Sequence, residues 1–103
     1  MTQFKELDPV LHSPLRLAIV SLLIEVESAE FNWLLEKTGA TNGNLSVQLS
    51  KLKERGYIEV NKSFRNNYPL TSCSITPEGS EAFKNYVRAL NSYIKGGTLQ
   101  GNQ

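Results

Sequence analysis

The segment spanning residues 38–57 places the strongest constraint on what this chain can fold into, because its leucines recur at helical spacing. Leu45, Leu49 and Leu52 follow the i, i+4, i+7 pattern of one helix face. Thr41 carries a hydroxyl that can cap the start of a helix, and Gly56 can adopt the left-handed conformation that ends one. The sequence therefore predicts a helix over residues 41–55 that packs through one narrow apolar edge.

The other positions of this helix are polar and nearly uncharged. At 100° per residue, the side opposite the leucines and its two shoulders carry small, amide-bearing or charged residues: Gly43, Asn44, Ser46, Val47, Ser50, Lys51 and Glu54. Side chains of these types offer donors, acceptors and methyl contacts to base edges in the DNA major groove. The pattern indicates a groove-reading helix, and the alternative is an ordinary solvated face.

Length and composition indicate one globular domain. The chain has 103 residues, 40% of them hydrophobic and 20% charged, which are ordinary globular values. No apolar run approaches the roughly 18 residues of a membrane span, and the N-terminus lacks the apolar core of a secretion signal. We therefore expect a cytoplasmic protein without membrane contact. One cysteine and one histidine predict no disulfide, no metal site and no cofactor.

The charges are unevenly distributed along the chain, whose net charge is +1. Residues 41–70 contain five basic and two acidic side chains, whereas the rest of the chain contains six basic and eight acidic ones. A basic middle segment can present a local positive face to phosphates although the whole chain is nearly neutral. A solvated surface without a partner is the alternative for these charges.

Two helices are predicted before the leucine-edged helix. Ser13 followed by Pro14 is typical of a helix start, and the apolar residues beyond them predict a helix, buried on most sides, to about Val26. After a brief extended stretch, Asn32 can cap a second short helix that ends at Lys37. A tight turn then leads into the leucine-edged helix, which gives a helix-turn-helix.

In the C-terminal half, the spacing of the apolar residues changes from helical to alternating and then back to helical. Residues 57–76 alternate between apolar and polar side chains, which predicts a β-hairpin whose loop comprises residues 64–69. A cap, a proline and a glutamate then begin a long helix over residues 77–95. Its apolar stripe is predicted to form a dimer interface, consisting of Phe83, Tyr86, Val87, Leu90, Tyr93 and Ile94. We expect residues 1–95 to form a single domain and residues 96–103 a flexible tail.

Four stretches of this chain together resemble the winged helix-turn-helix family of bacterial and archaeal transcriptional regulators, close to its MarR and ArsR branches. They are L-D-P-V-L-H-S-P-L-R-L-A-I, T-G-A-T-N-G-N-L-S-V-Q-L-S-K-L, G-Y-I-E-V and I-T-P-E-G-S-E-A-F. The resemblance covers residues 7–94. It implies a mainly α, α+β fold with a three-helix core, a two- or three-stranded β-wing and a long C-terminal helix.

The resemblance also implies a function, namely sequence-specific binding to double-stranded DNA as a homodimer. Helix 41–55 would enter the major groove, and wing 61–69 would contact the backbone or the minor groove. Carried over by position, the DNA-binding residues are Thr41, Asn42, Gly43, Asn44, Ser46, Val47, Gln48, Ser50, Lys51, Lys62 and Arg65. Two departures stand out: Gln48 replaces a histidine common among relatives, and the hairpin contains few arginines and lysines.

Other functions remain open at this stage. A winged-helix module that binds another protein through the same helix is the main alternative, because fold does not dictate function. An enzyme is disfavoured, since the sequence has no nucleophile set, phosphate loop or paired carboxylates beside a histidine. The aromatic residues of the last helix, with Trp33, form either core, a dimer interface or an effector pocket, and no particular effector is indicated. His12 and Cys73 are expected to be structural.

Overall fold

A computed structural model describes residues 4–96 of the chain, so most of the expected tail at 96–103 lies outside the described residues. The elements follow the order expected for a winged helix, with four helices and a three-stranded sheet. They are α1 (Pro14–Leu23), β1 (Ala29–Glu30), α2 (Phe31–Thr38), α3 (Asn42–Glu54), β2 (Ile58–Arg65), β3 (Tyr68–Ile75) and α4 (Pro77–Ile94). None of these helices is long and apolar enough to cross a membrane.

Helix α1 is shorter than predicted. Its N-cap is Ser13 and Pro14 occupies the first turn as expected, but the helix ends at Leu23 and not near Val26. The backbone N–H groups of Glu25 and Val26 each donate to the carbonyl three residues earlier, over 3.3 Å. Such bonds tighten the chain into turns beyond the last helical turn.

The N-cap of α2 differs from the prediction. It is Glu30, and Asn32 lies exposed inside the helix. The cause is tertiary: β1 pairs with β3 through Ala29 and Cys73 and through Glu30 and Ser72, which holds residue 30 extended immediately before the helix. At the other end Gly39 takes the left-handed conformation, with a φ of 71°, which turns the chain toward α3.

Both ends of α3 are formed as the sequence predicts. The Thr41 hydroxyl accepts a hydrogen bond from the Asn44 N–H over 3.1 Å. At the C-terminus Gly56 has a φ of 86°, and its N–H donates to the Lys53 carbonyl while the Tyr57 N–H donates to the Leu52 carbonyl. This pair of bonds is the Schellman arrangement, which needs a left-handed residue at the glycine position.

The wing is a long antiparallel hairpin with a very short turn. Strands β2 and β3 pair continuously from Ile58 and Ile75 to Arg65 and Tyr68. Only Asn66 and Asn67 lie between the strands, with φ angles of 51° and 70°. The predicted loop over residues 64–69 is therefore wrong. Two successive positive φ values are those of a type I′ turn, whose twist matches that of the strands it joins.

Helix α4 packs closely on the base of the wing. The Thr76 hydroxyl caps it by accepting from the Gly79 N–H over 2.9 Å, and Pro77 occupies the first turn. Gly79 is buried, and an added Cβ there would lie 2.1 Å from the Tyr57 carbonyl oxygen. The core below is contributed by all the helices and the sheet: Leu11, Ile19, Val20, Leu23, Ala29, Leu34, Leu45, Leu49, Leu52, Tyr57, Ile58, Cys73 and Tyr86.

Candidate nucleic-acid interface

Helix α3 buries its leucine edge and exposes the rest of its surface. Leu45, Leu49 and Leu52 are 0%, 4% and 0% exposed, whereas Val47 on the opposite side is 50% exposed. The other predicted contact residues of this helix and its cap are exposed, except for the half-buried Gln48: Thr41, Asn42, Gly43, Asn44, Ser46, Ser50 and Lys51. Within residues 4–96, the fold thus leaves this face of α3 open.

One flank of α3 faces α1 and carries a hydrogen-bonded network. Arg16 on α1 donates through Nη1 to Oε1 of Gln48 over 2.5 Å, and Nε2 of Gln48 donates to Oδ1 of Asn44 over 3.0 Å. Asn44, Gln48 and Lys51 share this flank because they are three or four residues apart. The amides of two predicted contact residues are therefore held in fixed positions relative to each other.

The other flank of α3 faces the wing across a groove of about 210 Å³. Ser46, Ser50 and Lys53 line the groove on the helix side, and Val60 and Lys62 line it on the wing side. Lys53 lines this groove although it is absent from the contact residues carried over from the resemblance. Its position seven residues after Ser46, and hence on the same flank, is the signal that could have identified it.

The wing presents different side chains on its two faces. Because successive residues of a strand point to opposite faces, Lys62 and Phe64 share the face of Val60, which lines the groove beside α3. Arg65 lies on the other face, where its guanidinium forms an ion pair with Glu30. The structure therefore does not bring Arg65 together with Lys62. Phe64, which is 75% exposed, was assigned to the turn from sequence, although it continues the alternation of Val60 and Lys62.

The basic residues near α3 fall into two groups. Arg55 forms an ion pair with Glu78 over 3.1 Å and lies 4.8 Å from the centre of the Tyr57 ring. In contrast, Lys51, Lys53 and Lys62 are exposed and make no ion pair within residues 4–96. Their ammonium groups are thus the cations available to a phosphate.

The long helix α4 has an exposed apolar face. Val87, Leu90, Tyr93 and Ile94 are 41%, 37%, 43% and 73% exposed. Part of this face forms an apolar groove of about 390 Å³ with α1, and Phe83 contributes to its lining. At one edge of this face, the Tyr93 hydroxyl donates to the Lys5 carbonyl over 2.9 Å.

Tyr86 differs from the other residues of the predicted interface. It is 4% exposed, and its hydroxyl forms a 2.9 Å hydrogen bond with Nδ1 of His12. Its side chain therefore packs in the core at the floor of the α1–α4 groove. Trp33 lies apart on α2, with the Lys37 ammonium 5.7 Å from its ring centre, so it does not join Phe83 and Tyr86 in lining this groove.

Two titratable side chains of the core, Cys73 and Tyr57, have pKa values above their ordinary range. Burial raises the pKa of the Cys73 thiol to about 11, so the thiol stays protonated at neutral pH. Burial and a 2.5 Å hydrogen bond to Asp8 raise the pKa of Tyr57 to about 12. Within the described residues, no group of three histidine, cysteine, aspartate or glutamate side chains is placed to hold a metal ion.

Comparison with known proteins agrees with this geometry. The chain is 42% identical over 78 residues to uncharacterized protein MJ0432 of Methanocaldococcus jannaschii, which covers 76% of this chain and 85% of the relative. A transcriptional regulator homologue from Pyrococcus horikoshii OT3 superposes with a TM-score of 0.79 at 29% identity, covering 87% of this chain and 89% of that one.

A second solved structure, of Rv0081 from Mycobacterium tuberculosis, superposes with a TM-score of 0.70 at 26% identity over 84% of each chain. Residues 15–94 match the family described as winged helix DNA-binding domain. That match spans α1 through α4 and includes every element of the interface. This chain belongs to the winged helix DNA-binding domain family of transcriptional regulators.

Proposed function

We propose that this protein is a cytoplasmic, homodimeric transcriptional regulator that binds specific DNA sequences through α3. The observation that carries the proposal is the open outward face of α3, where Val47 is 50% exposed while Leu45 and Leu52 opposite it are fully buried. A helix that keeps one polar side uncovered along its whole length can lie in the major groove. The name of the Pyrococcus relative, a transcriptional regulator homologue, supports the same function.

The position of the lysines fits a helix that lies between two DNA strands. Lys51 and Lys53 point about 160° apart around the axis of α3, one on the α1 flank and one on the wing flank. A helix with its side chains is about 10–12 Å across, which matches the roughly 12 Å width of the major groove. Each lysine can therefore reach the phosphates of a different strand, and Lys62 on the wing adds a third cation.

In this proposal, α4 supplies the dimer contact and the wing tip touches the DNA. Helix α4 has 18 residues and is about 27 Å long. Its exposed apolar side chains would be buried by a second copy, and each fully buried large side chain stabilises an assembly by roughly 1.5 to 3 kcal/mol. The wing, residues 61–69, would place Lys62 and Phe64 toward the backbone or the minor groove.

Selection of bound duplexes from a random pool tests this proposal. We expect an inverted repeat with half-sites about one helical turn apart, which is the spacing of adjacent major grooves on one side of DNA. Lys51→Ala should weaken binding to all duplexes and flatten its salt dependence. Lys84→Ala, a matched change of an exposed lysine on α4, serves as the control. Failure to enrich any sequence, with binding independent of salt, would favour a protein-binding module.

A further inference from the structure

A chain of side-chain hydrogen bonds leads from α1 into the first turn of α3. Nη1 of Arg16 donates to Oε1 of Gln48 over 2.5 Å, and Nε2 of Gln48 donates to Oδ1 of Asn44 over 3.0 Å. A guanidinium group has donors and no acceptor, so it fixes the oxygen of Gln48 toward α1 and the nitrogen toward Asn44. Asn44 consequently turns its own oxygen toward Gln48 and its Nδ2 away from it.

Arg16 is itself held in place. Its Nε donates to the Val10 carbonyl over 2.6 Å, and the Val10 N–H donates to Oδ1 of Asp8 over 2.9 Å. The other carboxylate oxygen of Asp8 accepts from the hydroxyl of Tyr57, a buried residue just before the wing. Because the Nε of the planar guanidinium is already bound to the Val10 carbonyl, less freedom remains to be lost when Nη1 binds Gln48. The orientation of the Asn44 amide is thus determined by the fold.

We infer that Arg16 is a positioning residue that determines which base Asn44 reads. This inference rests on the proposed function, in which the first turn of α3 meets base edges. An unrestrained asparagine reads adenine with both halves of its amide, since Oδ1 accepts from N6 and Nδ2 donates to N7. The bond from Gln48 holds Oδ1 of Asn44 toward Gln48 and turns Nδ2 away from it, so Nδ2 is the atom presented to a base. Guanine matches such a donor best, because its major-groove edge offers two acceptors, N7 and O6, whereas thymine offers only O4 and adenine pairs its N7 acceptor with an N6 donor.

The variant Gln48→Glu tests the inference because it keeps one hydrogen bond and reverses the other. A glutamate carboxylate still accepts from Arg16, but it can only accept from Asn44 as well. The Asn44 amide must then turn its Nδ2 inward and its Oδ1 toward the DNA. We expect the preferred base to change from guanine to one that donates, cytosine or adenine. The ratio of affinities at that position should shift by on the order of tenfold.

The measurement is competition between duplexes that differ at one base pair, starting from the sequence that the wild-type protein selects. Asn44→Ala first identifies the position that Asn44 reads, as the one where discrimination is lost. The ratio of affinities for two duplexes is unaffected by the general loss of affinity that the added negative charge of Gln48→Glu causes. Urea unfolding verifies that each variant is folded.

Arg16→Met provides a second, independent variant. It removes the guanidinium, so we expect discrimination to weaken at the same position without inverting and to stay unchanged elsewhere. An unchanged base preference in folded Gln48→Glu overturns the inference, as does a loss spread evenly over all positions. If Gln48→Glu does not fold, retained discrimination in Arg16→Met overturns it. A wild-type protein that selects no sequence overturns the proposed function itself, which is a separate result.

Discussion

Replacing Gly79 by alanine tests how closely α4 packs on the base of the wing. An added Cβ would lie 2.1 Å from the carbonyl oxygen of Tyr57, 2.9 Å from its carbonyl carbon and 3.0 Å from its Cα. All three are backbone atoms, so no side chain can rotate away. Ordinary contact requires about 3.4 Å, and α4 must therefore move by about 1 Å or more. The same Tyr57 carbonyl accepts from the N–H of Thr76, the residue that caps α4.

The expected change in the free energy of unfolding of Gly79→Ala follows from three effects. Overpacking of a well-packed site typically costs 1–3 kcal/mol, and disturbing the cap at Thr76 costs about 1 kcal/mol more. Alanine is favoured over glycine in a helix by about 1 kcal/mol, which offsets part of this loss. We expect Gly79→Ala to lower the free energy of unfolding by about 1 to 3 kcal/mol. For a domain of this size the melting temperature should fall by roughly 4 to 24 °C.

Gly43→Ala is the matched control for this experiment. Gly43 also lies near the start of a helix, but an added Cβ there would meet no atom within 4 Å among the described residues. We expect that variant to be as stable as the wild type or more stable by up to about 1 kcal/mol. Urea unfolding at equal protein concentrations measures both variants, since stability depends on concentration if the protein dimerises. A Gly79→Ala variant as stable as Gly43→Ala would refute the close packing of α4 on Tyr57.

Four further outcomes are expected. Lys53→Ala should flatten the salt dependence of DNA binding by about one unit per contact, and an unchanged slope would exclude this lysine from the phosphate contacts. Phe64→Ala should weaken DNA binding severalfold without changing the melting temperature, because the ring is 75% exposed. Burial raises the pKa of the Cys73 thiol from 9.0 to about 11, so the unfolded thiol ionises first as the pH rises. Stability should therefore fall between pH 9 and 11, by on the order of 2 kcal/mol, and urea unfolding should show a smaller fall for Cys73→Ala. Leu90→Glu should yield monomers by light scattering and weaken DNA binding, whereas persistent dimers would place the contact on another surface.

The elements that the sequence predicted well are those determined by neighbouring residues. The cap at Thr41, the left-handed Gly56 and the cap at Thr76 each depend on a side chain or a φ angle within a few residues of a helix end. The leucine spacing likewise identifies the buried edge of α3 wherever the helix is placed. These features need no knowledge of the rest of the fold.

The features that the sequence missed depend on distant partners. Glu30 replaces Asn32 as the cap of α2 because β1 pairs with β3, more than forty residues away. The burial of Tyr86 depends on α1 and on the segment before it, in which His12 forms a hydrogen bond with the Tyr86 hydroxyl. The residues next to Arg16 in the sequence do not indicate its contact with Gln48, since the two residues are 32 positions apart. Helical or strand periodicity identifies which side of an element faces inward, but not what it meets there.

In the proposed function, the number of lysine side chains without an ion-pair partner among residues 4–96 links DNA affinity to dimer formation. Two of the five basic residues between positions 41 and 70, Arg55 and Arg65, pair with glutamates. A DNA phosphate can replace glutamate as the partner of such an exposed arginine at little cost. The glutamate, which stays nearby, then repels the phosphate. With three lysines per protomer, a monomer would release about three counterions, whereas a dimer would release about six. Between 50 and 200 mM salt, the dimer should then lose affinity on the order of a thousandfold. A variant that stays monomeric should show about half the wild-type salt slope, and a full slope would show that one protomer alone supplies the phosphate contacts.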